Sequence, residues 1–120
     1  MSDGRRTAAF LSVLLGAGGV LHFTRPAPFD SIVPPVLPGP ARAYTCASGA
    51  AELVVAGLLA HPRTRRLGGH AATALLVAVF PANVQMAYDW RHARPRKRVI
   101  ALGRLPLQGV LIAQARHVAQ

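Results

Sequence analysis

The stretch Leu67–Tyr88, LGGHAATALLVAVFPANVQMAY, contains no Asp, Glu, Lys or Arg. Its length is close to the ~20 residues a helix needs to cross ~30 Å of hydrocarbon. Within it, Ala71–Ala82 shows no wide polar face at helical spacing, which a helix on the surface of a soluble bundle would need. Three further stretches share its character: Thr7–Phe23, Ala43–His61 and Val99–Ala115. Each carries one or two polar residues at about the same depth. The reading is all-α: an integral membrane four-helix bundle, a single domain over residues 1–120, with a polar interior and a long proline-rich loop between its first two helices.

Composition agrees with a lipid solvent. Hydrophobic residues make up 52% of the chain and charged residues 15%, too few for four soluble amphipathic helices to cover their outer faces. The net charge is +10, a balance that in a soluble protein would point to nucleic acid. Here the basic residues flank the apolar stretches, at Arg5 and Arg6, at Arg63, Arg65 and Arg66, and in the run from Arg91 to Arg98. They are placed to meet anionic headgroups, and no aromatic residues are interleaved with them as single-strand binding would need. The expected partner is therefore the lipid bilayer and not nucleic acid.

The basic residues nearly balance across the two sides of a four-span protein, and the first helix, led by Arg5 and Arg6, tips the expectation toward termini inside. No small-residue cleavage site follows that helix, so it reads as a span rather than a removable leader. The lone Cys46 excludes an intrachain disulfide. It reads as a small buried hydrophobe, with a mixed or intermolecular disulfide as the alternative.

The connection Thr24–Arg42 holds six prolines, which forbid a regular long helix. It also holds Phe29, Ile32, Val33, Val36 and Leu37, which a solvated linker would not carry. Those side chains want burial. The segment reads as a cap, either lying in the membrane interface or folding back over the mouth of the bundle.

Ionisable groups inside a span are costly and usually face protein or water. Ser48 and Glu52 share a face of the second stretch one turn apart, with Gly49 beside them to admit another helix. Arg104 and Gln108 share a face of the fourth, which makes Glu52 and Arg104 the expected pair. Pro81 sits mid-span in the third stretch, where it frees a backbone carbonyl and kinks the helix. Asn83 follows it and can bond a neighbouring helix. His22 shares a face of the first stretch with Gly18. The candidate ligand-binding set is His22, Glu52, Asn83, Arg104 and Gln108. Each also has a structural reading: an interfacial side chain for His22, packing glue for Asn83, and a register-fixing ion pair for Glu52 and Arg104.

No metal is expected, because the five histidines are scattered without ligand spacing. No nucleophile with its base, phosphate loop or carboxylate pair is present, so hydrolysis and phosphoryl transfer have nothing to rest on.

Taken in order, His22-Phe23, the segment Pro26 to Pro38, Ser48-Gly49 with Glu52-Leu53, Pro62 to Arg65, Val79 to Asn83, and Arg104 to Gln108 resemble the DoxX family of small bacterial four-helix membrane proteins. The likeness covers about residues 14 to 113. It implies a multi-pass protein of the inner, cytoplasmic membrane, in a family with members linked to thiosulfate and quinone oxidation or to membrane oxidoreductase complexes. No haem motif or flavin fingerprint is present, so a redox role would require a bound quinone, a partner subunit, or both. The expectation is an accessory or assembly subunit that contacts another membrane protein or a second copy of itself. The alternative is a redox-associated subunit that binds a quinone- or lipid-like ligand.

Overall fold

The computed structural model describes residues 3–120, and of Asp3 only the backbone. It is all-helical in character. Its elements are α1 (Asp3–Thr24), a five-residue α2 (Pro26–Asp30), α3 (Ala41–Ala60), α4 (Arg65–Asp89) and α5 (Pro95–Ala119). Three helical segments, Gly4–Thr24, Ala41–Ala60 and Arg65–Asp89, are long and apolar enough to cross a membrane. The fourth long helix, α5, has the length but is more polar, with a basic first turn and Arg104 within it.

The helix boundaries follow the prolines. Arg25 precedes Pro26 and leaves helical geometry (φ −136°, ψ 65°), because the proline ring disfavours the α conformation in the residue before it. The same rule ends α3 at His61, before Pro62 (ψ 132°). Pro40 precedes α3 in extended geometry, after Gly39 turns the chain at φ 88°, a left-handed conformation that favours glycine. Pro95 opens α5 at the first helical position, where its missing N–H has no intrahelical partner to lose. The helices start before the apolar stretches, and α1, α4 and α5 also end after them, since backbone hydrogen bonding continues into polar flanks, whereas α3 stops at Ala60, one residue short of the expected His61.

The long helices alternate in direction. Helix α1 packs on α3 and α5, and α4 packs on α3 and α5, so the four form a square. The bundle measures 44 Å along its longest axis, comparable to the ~40–45 Å of a bilayer with its headgroups. One half, toward the chain termini and the α3–α4 turn, is a solid core of Leu11, Leu15, Val55, Leu59, Leu76 and Val118 with alanines between them. Close approach there depends on two glycines of α4. A Cβ on Gly68 would stand 2.8 Å from the Leu59 backbone nitrogen, and one on Gly69 2.5 Å from that of Ala119.

The other half is more open. A smaller cluster, Ile32, Met86 and Ala101, closes it from the far end, and Ile32 belongs to the proline-rich connection. That connection is more than a loop. It contains α2, crosses the bundle end, and buries Ile32 among residues of α4 and α5 while leaving Val36 outside. Asp30 anchors it to the start of α3, accepting hydrogen bonds from Thr45 Oγ1 at 2.5 Å and from Arg42 Nε at 2.8 Å. Tyr44 Oη adds a bond to the Pro38 carbonyl at 2.5 Å.

Candidate functional site

Beneath this strap lies a cavity of about 700 Å³. All five candidate residues line it: His22 from α1, Glu52 from α3, Asn83 from α4, and Arg104 and Gln108 from α5. Most of its wall is apolar, including Leu15, Phe29, Ile32, Leu76 and Leu107. Apolar walls with a few placed polar groups are the usual make-up of a small-molecule pocket.

The α1–α3 wall is built by glycines. A Cβ on Gly49 would lie 2.7 Å from His22 Cβ, one on Gly19 2.8 Å from Leu53 Cγ, and one on Gly18 3.1 Å from Glu52 Oε2. These positions let the two helices meet closely enough for His22 Nδ1 to come within 3.2 Å of Glu52 Oε2. The same nitrogen is 2.6 Å from the Gly18 carbonyl, and a ring nitrogen carries only one proton. With that proton directed at Gly18, Glu52 Oε2 is close to the ring yet buried without a hydrogen-bond partner. Phe29 of α2 stacks on the imidazole, with centroids 3.8 Å apart and planes 17° from parallel. Engagement of Nδ1 leaves Nε2 with no protein partner among the described residues, in a ring that lines the cavity.

The α4–α5 wall is different. Pro81 removes the N–H that would bond the Val77 carbonyl and disturbs the turn before it. The adjacent Leu76 carbonyl accepts a hydrogen bond from Gln108 Nε2, and Gln108 Oε1 accepts one from Asn83 Nδ2. Both amides are buried. Their polarity is largely spent on each other and on the Leu76 carbonyl, which ties α4 to α5.

Arg104 does not pair with Glu52, against the expectation from sequence. The ion pairs within 4.0 Å among the described residues are His22 with Glu52 and Arg42 with Asp30. The glycine crossing places His22, rather than Arg104, against the carboxylate. Arg104 lines the cavity without an ion pair or hydrogen bond to any described residue, so the site holds a carboxyl, a half-engaged imidazole and an unpaired guanidinium.

Several contributors were not singled out from sequence. Thr45, Arg42 and Asp30 latch the strap, and so bring Phe29, already expected to seek burial, onto His22. The available signal was Asp30 itself, a lone acid in an apolar proline-rich segment. Cys46 is a half-buried free thiol outside the cavity wall. No group of three or more His, Cys, Asp or Glu converges as a metal site among the described residues.

A family described as a domain of unknown function, DUF8561, matches residues 11–119. The chain belongs to this family. The match takes in the strap and all of the cavity wall except Phe10, so all five candidate residues lie within the family domain. No curated protein and no solved structure matches the chain.

Proposed function

We propose that this DUF8561 protein is a multi-pass protein of the bacterial inner membrane that holds an amphiphilic, quinone- or lipid-like molecule in the cavity under its strap. The observation that carries the reading is the convergence of Arg104, the free Nε2 of His22 and Glu52 on an apolar cavity of about 700 Å³. An ionisable group at membrane depth is costly without a partner, and a ligand headgroup would supply one. Arg104 would donate to a carbonyl or other acceptor of the headgroup, and His22 and Glu52 would exchange a proton or hydrogen bond with it. The apolar wall and Phe29 would take the tail or ring.

Spanning by four helices belongs to the same proposal. Helix α5 turns Arg104 to the cavity while Val99, Leu102 and Val110 stand exposed outside it. An apolar exterior around a polar interior suits a lipid-facing helix. The resemblance to the DoxX family, carried by His22, Glu52, Pro81-Ala82-Asn83 and Arg104 to Gln108, supports the inner-membrane setting.

The test is to purify the protein in native-lipid particles and identify by mass spectrometry what accompanies it. A stoichiometric small molecule, lost on Glu52→Gln while helix content holds, is the expected result; its absence from the wild-type particles overturns the reading. A second reading, an accessory subunit contacting another membrane protein, rests on Gly57, Gly103 and Gly109, where a Cβ would meet open space. Such positions let a neighbouring helix approach closely, and the same purification would then yield a protein partner.

A further inference from the structure

A second recess, of about 470 Å³, opens at the opposite end of the bundle, where the start of α1, the α3–α4 turn and the end of α5 meet. Arg5, Arg63, Arg65, Arg66 and His117 line it. No described acidic side chain does, since Asp30, Glu52 and Asp89 all lie elsewhere. Arg63, Arg65, Arg66 and His117 form no ion pair with any described residue. The guanidinium groups of Arg63, Arg65 and Arg66 repel one another unless an anion sits among them.

Two further features point the same way. Arg65 Nε is buried without a hydrogen-bond partner, an orphaned donor of the kind that costs free energy until it is matched. Arg65 is also the first residue of α4, whose first turn contains no acidic residue and whose N-cap side chain makes no capping bond. The free N–H groups and positive dipole end of a 25-residue helix therefore add to the arginines. The frame is firm. Arg66 Nε donates to the Ala119 carbonyl at 3.2 Å, and the tight contacts at Gly68 and Gly69 lock the three helix ends together.

We propose that this recess is a binding site for a phosphate-bearing anion. Guanidinium groups bind phosphate oxygens with paired, charge-assisted hydrogen bonds, and here they come from one turn and the helix beginning beside it, with a histidine facing them from α5. The phosphate belongs either to an anionic lipid headgroup or to a free phosphate, and the chemistry of recognition is shared. The site is independent of the cavity under the strap and stands whether or not that cavity binds a ligand.

The experiment uses the full chain in mild detergent, with circular dichroism to check helix content. Phosphatidylglycerol, phosphatidylcholine and inorganic phosphate are titrated separately, with native mass spectrometry and thermophoresis as readouts. Wild-type protein should retain phosphatidylglycerol over phosphatidylcholine, and R65Q/R66Q should weaken this by about tenfold or more, as loss of charge-assisted bonds implies. Phosphate binding with the same sensitivity, without lipid preference, would support the site and assign it to the free anion. Should R65Q/R66Q lose its fold with the Ala119 contact, R63Q, altering an exposed side chain, is read instead and should weaken binding severalfold. Binding of neither probe, binding unaffected by the substitutions, or an equal loss in R91Q/R94Q at the far end of the bundle would overturn the proposal.

Discussion

The two seams that flank the cavity solve the same problem differently. Where α4 meets α5, two neutral amides and the Leu76 carbonyl bond one another in a chain. Where α1 meets α3, the Gly18 carbonyl and the Glu52 carboxyl compete for the one Nδ1 position of His22, and a buried carboxyl oxygen is left over. A satisfied polar network rigidifies a fold, while an incompletely satisfied one is a place where a ligand can still gain hydrogen bonds. The first seam is built to hold, and the second leaves hydrogen-bonding capacity unused.

The comparison breaks most visibly at Gln108. Gln108→Leu strips a partner from Asn83 and another from the Leu76 carbonyl, both buried, and should destabilise the protein by about 2–4 kcal/mol. Unfolding in mixed micelles measures this, and a loss well under 1 kcal/mol would end the structural reading of that seam. Next comes Gly49→Ala. Its Cβ would collide with His22 Cβ and Phe23, and the resulting overpacking should cost about 1–3 kcal/mol. It should also separate His22 from Glu52, so ligand retention falls together with the melting temperature.

Glu52→Gln probes the other side of the comparison. The substitution keeps shape and removes charge, so stability should change by less than ~1 kcal/mol while ligand retention drops by about tenfold, the worth of a charged hydrogen bond. A large loss of stability with intact ligand retention would make the α1–α3 seam as structural as its counterpart.

The smallest effect concerns the strap. The Thr45 hydroxyl, and then the Arg42 guanidinium, hold the Asp30 carboxyl below its ordinary range. A group whose folded pKa lies below its unfolded one contributes stability above the unfolded value and loses it as pH falls through the folded value. The wild-type advantage over Asp30→Asn should therefore be present near neutrality, begin to fall at about pH 4, the ordinary Asp range, and be lost as pH drops through the lower folded value. Melting curves of both proteins across that interval measure it. Asp30 is half-buried and its partner Arg42 is exposed, so the change should be slight, and a gap that persists at low pH would show that the latch acts through something other than charge.

Much of this was legible in the residues because lipid imposes a length rule. Apolar runs such as Leu67–Tyr88 announce a helix by length and composition alone, and Pro26, Pro40, Pro62 and Pro95 mark helix limits through their own geometry. Polar residues inside such runs, His22, Glu52, Asn83, Arg104 and Gln108, stand out for the same reason, and all five meet at the cavity. Their partners were not legible. Opposite charge suggested Glu52 with Arg104, whereas the structure sets Glu52 against His22 and Asn83 against Gln108.

The sequence by itself determined that the chain is helical, where its breaks fall, and which side chains are too polar for their surroundings, because each is a property of a residue and its near neighbours. Tertiary structure alone decided which of those side chains pair, that the proline-rich strap reaches back to stack Phe29 on His22, and that arginines from the α3–α4 turn and the start of α4 share a recess with the end of α5. The reason is that pairing across helices depends on rotation and crossing distance. Those are set by where Gly18, Gly19 and Gly49 let two backbones touch, and no spacing within a single helix encodes that contact.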